Sequence, residues 1–165
     1  MNFTKKLFDI SMTLPDSEIL KPLFIVRSPQ TDDEWRQYYK LRFDILRKKW
    51  NQTEGSEKDK GDATSFHLAA FTENKIIAVG RIQFNNEKTA QIRFMAVDEN
   101  EQGSGAGTAV LNGLEAYAKE NNISEIILNA RENAINFYLK NGYEIIADGQ
   151  LLFGEIKHKV MRKIL

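Results

Sequence analysis

The sequence predicts an α/β domain of the α+β type, in which helices flank a mixed, mostly antiparallel central sheet. Three strand-like runs follow one another with only short turns between them, and such turns leave room only for antiparallel hairpins. Helical patterns stand before and after this group, which gives the order β-α-β-β-β-α-β-α-β-β. A length of 165 residues, 42% of them hydrophobic, suits one domain with an ordinary core.

The domain is expected to span residues 23–165, preceded by an N-terminal extension of residues 1–22. The extension lacks the unbroken apolar region and the small-residue cleavage site of a signal peptide. No run of about 18 apolar residues occurs in the chain, so no transmembrane helix is predicted. We therefore expect a cytoplasmic location and no membrane partner.

The first strand, Leu23–Arg27, precedes a helix whose start carries a capping box. Thr31 supplies the N-cap hydroxyl, and Glu34 follows at the spacing that lets its carboxylate reach back to the cap amide. The helix should run to about Lys49. Residues 51–65 are polar and charged, and they are predicted to form a long loop.

Three strands follow this loop, and turn-like residues separate them. The breaks fall at Glu73-Asn74 and at Asn85–Lys88. His67 lies within an apolar run and is expected to be structural. The three strands are Phe66–Thr72, Lys75–Phe84 and Thr89–Val97.

The second half of the sequence alternates helices with strands. A helix opens near Ala106, after a glycine-rich segment, and ends at Asn121-Asn122. A shorter helix, Glu132–Lys140, is followed by Asn141-Gly142, as a C-cap glycine would end it. The predicted strands are Glu125–Leu128, Tyr143–Ala147 and Phe153–Arg162.

Composition excludes several classes of function. The 23 basic residues balance the 23 acidic ones, which leaves no electrostatic footprint for nucleic acid. The absence of cysteine excludes disulfides, thiolate metal sites and a cysteine nucleophile. With only His67 and His158 to supply imidazole, a multi-histidine zinc site is not expected, and we predict no metal.

The segment Gln102–Gly107 carries the sharpest functional signal. It lies between an apolar strand and an amphipathic helix, where free amides and the helix dipole can hold a phosphate and glycines allow close approach. The dinucleotide fingerprint needs a glycine where this chain has Thr108, and the Gly-Lys-Ser/Thr of a P-loop is absent. A glycine turn that binds no ligand is the alternative.

Two separated motifs resemble those of one family. Gln102-x-x-Gly105-x-Gly107 resembles the Q/R-x-x-G-x-G/A signature of the GCN5-related N-acetyltransferase (GNAT) family, and its setting between a strand and a helix is similar. Residues 134–143 resemble that family's A-x-x-x-Y-x-K-x-G-F/Y segment. The tail, residues 153–161, is similar to the last strand of a bacterial subgroup with ElaA-type members. The resemblance covers residues 23–165 and includes the order of elements.

The resemblance implies that acetyl-CoA is the co-substrate. It implies that the amides of the glycine segment hold the pyrophosphate and that the preceding strand pairs with the pantetheine arm. In the family the next strand splays away to open a slot, which here would lie between Met95–Val97 and Ile127–Asn129. The implied cofactor-binding residues are Met95, Ala96, Val97, Gln102, Gly103, Ser104, Gly105, Ala106, Gly107, Thr108, Asn129, Asn133, Phe137 and Lys140.

Catalytic roles follow from the same resemblance. Tyr138 matches the family's general acid, because a phenol near the thioester can protonate the departing thiolate. The backbone amide of Ala96 or Val97 could polarise the acetyl oxygen. Glu155 and His158 are candidate general bases, and a water-relayed proton is an equal alternative.

Three further positions bear on specificity. Arg131 stands where many family members carry asparagine, so Asn133 becomes the substitute for that contact to the pantetheine arm. Arg81 and Arg93 lie on neighbouring predicted strands, and if both face the cleft they can recognise an acidic group on the acceptor. The alternative is that these two arginines are solvated or paired across the strands.

We therefore predict an N-acetyltransferase that transfers the acetyl group of acetyl-CoA to a primary amine of a small molecule or amino sugar. Acetylation of a protein N-terminus or lysine is a variant of this hypothesis. A catalytically silent acyl-CoA-binding module and a nucleotide-binding module of another fold are alternatives. Family analogy also suggests a homodimer.

Overall fold

The structure, a computed structural model, describes residues 24–165, and the extension predicted for residues 1–22 lies outside that range. The strands are β1 (Ile25–Arg27), β2 (Phe66–Thr72), β3 (Lys75–Phe84), β4 (Thr89–Val97), β5 (Glu125–Arg131), β6 (Glu144–Asp148) and β7 (His158–Ile164). The helices are α1 (Asp32–Leu46), α2 (Ala106–Glu120) and α3 (Ile135–Lys140). The predicted order of elements is confirmed.

The seven strands form one sheet in the order β1-β2-β3-β4-β5-β7-β6. Neighbouring strands are antiparallel except for β4 and β5, which are parallel. The predicted mixed, mostly antiparallel sheet is therefore confirmed. Its middle carries the single parallel pair, and this pair positions the candidate site.

Helices cover both faces of the sheet. On one face α1 buries Tyr38 and Leu41 against Ala69 and Val79 of the central strands. On the other face α2 and α3 pack on a second cluster that includes Met161. Because both faces are covered, β2 and β3 are almost continuously buried rather than alternating. No described helix is long and apolar enough to cross a membrane.

Only one of the two hydrogen bonds of the predicted capping box forms at the start of α1. The Thr31 hydroxyl accepts from the Glu34 amide at 3.2 Å, as a cap should. The Glu34 carboxylate, however, accepts from the amide of Gln30 at 2.6 Å and pairs with Arg27 at 2.7 Å. The guanidinium of Arg27 and the Gln30 amide together lower the pKa of Glu34 to about 2. This carboxylate therefore ties α1 to β1.

Several predicted boundaries fail. β5 extends beyond the predicted Leu128 to Arg131, and a 3-10 turn at Glu132–Ala134 precedes α3. Two further differences lie at the last strand and at the end of the first helix. The last strand begins at His158, not at Phe153, because Phe153 and Gly154 have positive φ angles of 54° and 74° and form a tight turn between Leu152 and Ile156. The first helix ends at Leu46, and a separate 3-10 turn follows it rather than a continuous helix to Lys49.

Two fully buried arginines, Arg42 and Arg81, organise the predicted loop at residues 51–65. Arg81 lies 2.6 Å from the carboxylates of both Asp59 and Asp62, and Arg42 lies 2.8 Å from Asp62. Arg42 also donates to the Glu57 carbonyl. Burial opposes ionisation of the two aspartates, but the arginine hydrogen bonds outweigh it and hold their pKa values below the usual range. The loop is thus fastened to the sheet by charge pairs.

His67 on β2 completes this network. Its Nδ1 lies 3.0 Å from the Tyr38 hydroxyl and its Nε2 lies 2.8 Å from the Asp62 carbonyl. Burial is the main cause that lowers the pKa of His67, and the nearby Arg42 and Arg81 charges also oppose protonation. The ring is consequently a neutral, hydrogen-bonded core group, as its position in an apolar run suggested.

The free energy of unfolding should depend on pH through His67. Because folding lowers the pKa of His67, the unfolded chain binds more protons below about pH 6.5, so the protein should lose stability as pH falls from 7 to 5. The slope should not exceed about 1.4 kcal/mol per pH unit, the limit for one proton. Urea unfolding of the wild type and of His67→Gln would measure it. An equal slope in both proteins would contradict this role, since Asp59 and Asp62 titrate at lower pH.

Candidate active site

The centre of the sheet is open at one end. β4 and β5 pair only from Thr89–Gln91 to Glu125–Ile127, after which the two strands separate. β4 continues along β3, and β5 continues along β7 as far as the Arg131–His158 pair. The opening therefore lies between two strands that each keep one partner, at the place where the family resemblance implies a slot.

A β-bulge in β4 accompanies the separation. Phe94 has a φ angle of 55°, and the register of β3 on β4 shifts between Val79 and Arg81. Gly80 lies opposite the bulge, and a Cβ atom there would stand 2.3 Å from the Met95 sulfur. Only glycine permits this close approach. Bulges bend the strand that carries them, which turns β4 away from β5 beyond Gln91.

The glycine segment lies where β4 leads into α2. Gly103 and Gly105 have φ angles of 81° and 93°, a conformation that favours glycine, and Gly105 is the N-cap of α2. Gly105 has no side chain to cap the first turn, so the amides of Gly107 and Thr108 keep the unsatisfied character of a helix start. The exposed residues 102–105 leave this helix end open to an anion.

The glycine segment also contacts the start of α3. A Cβ atom on Gly107 would lie 3.0 Å from a methyl group of Val97 and 3.6 Å from the Phe137 ring. The N-terminus of α2 therefore packs closely on the end of β4. Lys140, at the last turn of α3, is exposed.

A cavity of about 200 Å³ lies at the inner end of the opening. It is bounded by the end of α1, the bulged part of β4, the end of β5, α3 and the turn before β7. The polar and ionisable side chains in its wall belong to Arg47, Gln91, Arg93, Asn129, Arg131, Tyr138, Gln150 and His158.

Tyr138 reaches this cavity from α3 and is only 6% exposed. The helix ends in a Schellman motif, in which Gly142 donates to the Leu139 carbonyl and Tyr143 donates to the Tyr138 carbonyl, each at 3.1 Å. Burial raises the pKa of the Tyr138 phenol, so it stays protonated at neutral pH. Within residues 24–165 its hydroxyl has no hydrogen-bond partner, and its proton is free to be donated.

His158 and Glu155 differ in their access to the cavity. His158 lines it, and its Nδ1 lies 3.1 Å from the Gln150 carbonyl and 3.0 Å from the Ile156 carbonyl. Two carbonyl acceptors beside Nδ1 require the proton there, which leaves Nε2 of the neutral ring as an acceptor. Glu155 lies on the exposed turn and is absent from the wall.

The two asparagines predicted to bind the cofactor lie in different places. Asn129 lines the cavity, whereas Asn133 is exposed on the turn before α3 and is not part of the wall. Arg131 extends to the end of α1, where it donates to the Leu46 carbonyl at 2.8 Å and covers the ring of Trp50 at 4.3 Å. The arginine thus closes one side of the cavity.

Of the two arginines predicted to face the cleft, only Arg93 lines the cavity. Arg93 is 43% exposed and lies 3.8 Å from Asp59. The geometry contradicts the prediction for Arg81, whose guanidinium is fully buried and bonded to Asp59 and Asp62. The alternative also differs from this geometry, because Arg81 is neither solvated nor paired across the strands but bonded to aspartates of the loop at residues 51–65.

Sequence reasoning missed Arg47. No local pattern in the sequence shows that its side chain lines the cavity. Burial is the main cause that lowers the pKa of Arg47, and the charge of Arg42 adds to it. The sequence does contain one signal, the cluster of three basic residues that begins at Arg47.

Known proteins resemble both the sequence and the fold. Residues 31–143 match the profile of the acetyltransferase (GNAT) family. The uncharacterized N-acetyltransferase YjcF of Bacillus subtilis is 24% identical over 81% of this chain and 95% of its own length.

Two solved structures share the fold. An aminoglycoside 6'-N-acetyltransferase complexed with coenzyme A is 14% identical, with a TM-score of 0.72 over 85% of this chain and 96% of its own. Escherichia coli ElaA is 16% identical, with a TM-score of 0.71 over 86% of this chain and 99% of its own.

Proposed function

Because this chain belongs to the acetyltransferase (GNAT) family, whose members use acetyl-CoA, we propose that it is an N-acetyltransferase acting on a primary amine of a small molecule or amino sugar. The amine attacks the acetyl carbonyl directly, and coenzyme A leaves as the thiol. The observation that carries this proposal is the opening between β4 and β5, with the glycine segment at its outer end and Tyr138 at its inner end. The tail at residues 153–161 is the feature that supports placement in the ElaA-like subgroup, and ElaA shares the fold.

The coenzyme would lie along the open edge of β4. Asp98 donates to the Ile77 carbonyl on β3 at 2.8 Å, and amides alternate in direction along a strand, so the amide of Val97 points to the open side. The pantetheine amides can pair with Met95 and Val97 as an added strand would. Of the two amides considered for polarising the acetyl oxygen, this alternation favours Val97 over Ala96.

The pyrophosphate would lie on residues 102–108, where the uncapped amides of α2 face outward. Asn129 is the side-chain candidate for the pantetheine arm, because it lines the cavity and Asn133 does not. Phe137 contributes packing beside Gly107, and Lys140 is a candidate for a peripheral phosphate.

Tyr138 is proposed as the general acid. Attack by the amine expels a thiolate, which needs a proton as the carbon–sulfur bond breaks. A buried phenol that lacks a competing hydrogen-bond partner and remains protonated can supply that proton. Its helix is held in place by the Gly142 motif, which keeps the hydroxyl directed at the cavity.

His158 is proposed as the general base, in preference to Glu155. Two carbonyls accept from the Nδ1 proton, which leaves Nε2 as a free acceptor. The ring lines the same cavity as Tyr138. A direct transfer from the amine or a relay through one water would both use this nitrogen.

The small cavity volume, about 200 Å³, supports a small acceptor over a protein N-terminus or lysine. A compact amine fits a pocket of this size. Acetylation of a peptide amine is the second candidate, since the cavity is open rather than enclosed.

Removing the Tyr138 hydroxyl tests the acid. Tyr138→Phe should lower kcat by about 10²- to 10⁴-fold in a thiol-release assay over a panel of small amines and amino sugars. Affinity for acetyl-CoA and thermal stability should stay near those of the wild type, because the hydroxyl has no partner among the described residues.

Tyr143→Phe is the matched control. It removes a second buried phenol hydroxyl, 5.6 Å away between ring centroids and outside the cavity wall. Equal losses of kcat in the two variants, or an unchanged kcat in Tyr138→Phe, would contradict the proposed role.

A second pair of variants separates the two candidate bases. His158→Gln should reduce kcat at neutral pH by about 10²-fold or more, whereas Glu155→Gln should retain it. The comparison uses saturating acetyl-CoA with the best amine from the same panel. The reverse pattern would make Glu155 the base, and full activity in both variants would favour a water relay without a dedicated base.

A further inference from the structure

The wall of the candidate acceptor cavity carries positive charge without acidic side chains. Three guanidiniums line it, those of Arg47, Arg93 and Arg131, and no aspartate or glutamate of residues 24–165 does so. The nearby carboxylates of Asp59 and Asp62 are bonded to the buried Arg42 and Arg81, and Asp59 also lies 3.8 Å from Arg93. The cavity therefore has a local excess of positive charge in a chain whose net charge is zero.

Arg47 and Arg131 meet at one backbone acceptor, and Nε of Arg47 also donates to the Ser56 carbonyl at 3.0 Å. Nη1 of Arg47 and Nη2 of Arg131 both donate to the carbonyl oxygen of Leu46, at 3.0 Å and 2.8 Å. That carbonyl ends α1, where the helix dipole offers only a partial negative charge. Among the described residues neither guanidinium has a carboxylate within the 4.0 Å limit of a salt bridge.

These contacts leave the two guanidiniums without a carboxylate of their own, so an anion between them would be favourable. Burial lowers the pKa of Arg131 to about 10, and the charge of Arg47 contributes to that shift, yet both groups remain protonated at neutral pH. Like charges that are partly removed from water repel each other, and each loses hydration. An oxyanion between them would supply the missing counter-charge and accept charge-assisted hydrogen bonds from both forks.

We propose that the acceptor amine carries a carboxylate or phosphate group, and that Arg47 and Arg131 bind this group while Arg93 contributes at the cavity rim. This proposal rests on the acetyltransferase function and specifies its substrate class. Tyr138 and His158 line the same cavity, so an anion held at the α1 end orients the amine toward the opening between β4 and β5.

The coenzyme phosphates are not the anion in question. They are assigned to the glycine segment at the N-terminus of α2, whereas Arg47 and Arg131 meet at the C-terminus of α1. The two helices cover opposite faces of the sheet. An experiment can therefore occupy the glycine segment with coenzyme A and probe the arginines separately.

Thermal unfolding with small oxyanions tests the site directly. Inorganic phosphate or succinate, added to protein saturated with coenzyme A, should raise the Tm saturably above an equal ionic strength of sodium chloride. The shift should disappear in Arg47→Gln and in Arg131→Gln. The larger of the two responses tells whether phosphate or carboxylate is preferred.

Arg36→Gln is the matched control, because it also removes one positive charge from α1 but its side chain is 73% exposed and pairs with Asp33. It should respond as the wild type does. Equal responses to phosphate, succinate and chloride in the wild type would overturn the proposal. A shift that persists in both Arg47→Gln and Arg131→Gln would overturn it too.

Matched amines then test the substrate class. Glucosamine 6-phosphate against glucosamine, phosphoserine against serine, and glutamate against glutamine each differ in one anionic group. The anionic member of the productive pair should have kcat/KM at least about tenfold higher, and Arg131→Gln should bring the ratio near one. A neutral member that is preferred by the wild type would overturn the proposal.

Failure of the broader function is distinguishable from failure of this site. If coenzyme A does not bind and no amine is acetylated, the acetyltransferase proposal fails. The phosphate and succinate melts, repeated without coenzyme A, still compare Arg131→Gln with Arg36→Gln and decide on the arginine site.

Discussion

The separation of β4 from β5 is the constraint on which the rest of the structure depends. Parallel pairing ends at Gln91 and Ile127, so backbone groups in the middle of the sheet lose their partners. Unpaired amides and carbonyls in a sheet interior are costly unless another group bonds them. An extended ligand with amides of its own meets that need, and the same separation leaves room for the cavity at its inner end.

The arginines near this opening differ in burial and in their partners. Arg42 and Arg81 are fully buried and pair with two aspartates of the loop at residues 51–65. The ring of Phe94, at the bulge, lies 3.9 Å from the Arg42 guanidinium and 5.0 Å from that of Arg81. The bulge, the loop and the buried arginines thus form one unit, whereas Arg47 and Arg131, which have no carboxylate partner among the described residues, border the cavity.

The sequence predicted well those strands and helices that are specified by residues close together in the chain. β2, β3 and β4 match their predicted bounds, because apolar runs bounded by Asn-rich turns specify them. α2 begins and ends where Gly105 and the Asn121-Asn122 pair predicted. The predicted start of the last strand was wrong, because the sequence does not show that Phe153 adopts a positive φ, which is unusual for an aromatic residue.

Features that depend on contacts between residues distant in sequence could not be predicted. Arg131 meets Leu46 across 85 positions, and no periodic pattern links these residues. Arg81 was a candidate for the cleft because its position on a strand neighbouring that of Arg93 is visible in the sequence, whereas the aspartates that bind it lie on a distant loop. The resemblance to a family supplied the candidate acid, Tyr138, since a tyrosine on a short helix would otherwise suggest only core packing.

The most direct test of the account is calorimetric titration of acetyl-CoA into the wild type, Gly105→Ala and Gly105→Glu. Both substitutions impose the roughly 1–2 kcal/mol strain of a side chain at positive φ, but only glutamate places a carboxylate at the start of α2. The account predicts that the wild type and Gly105→Ala bind, and that Gly105→Glu does not while remaining folded. A wild type that fails to bind acetyl-CoA, or a Gly105→Glu variant that binds as tightly as Gly105→Ala, would contradict it.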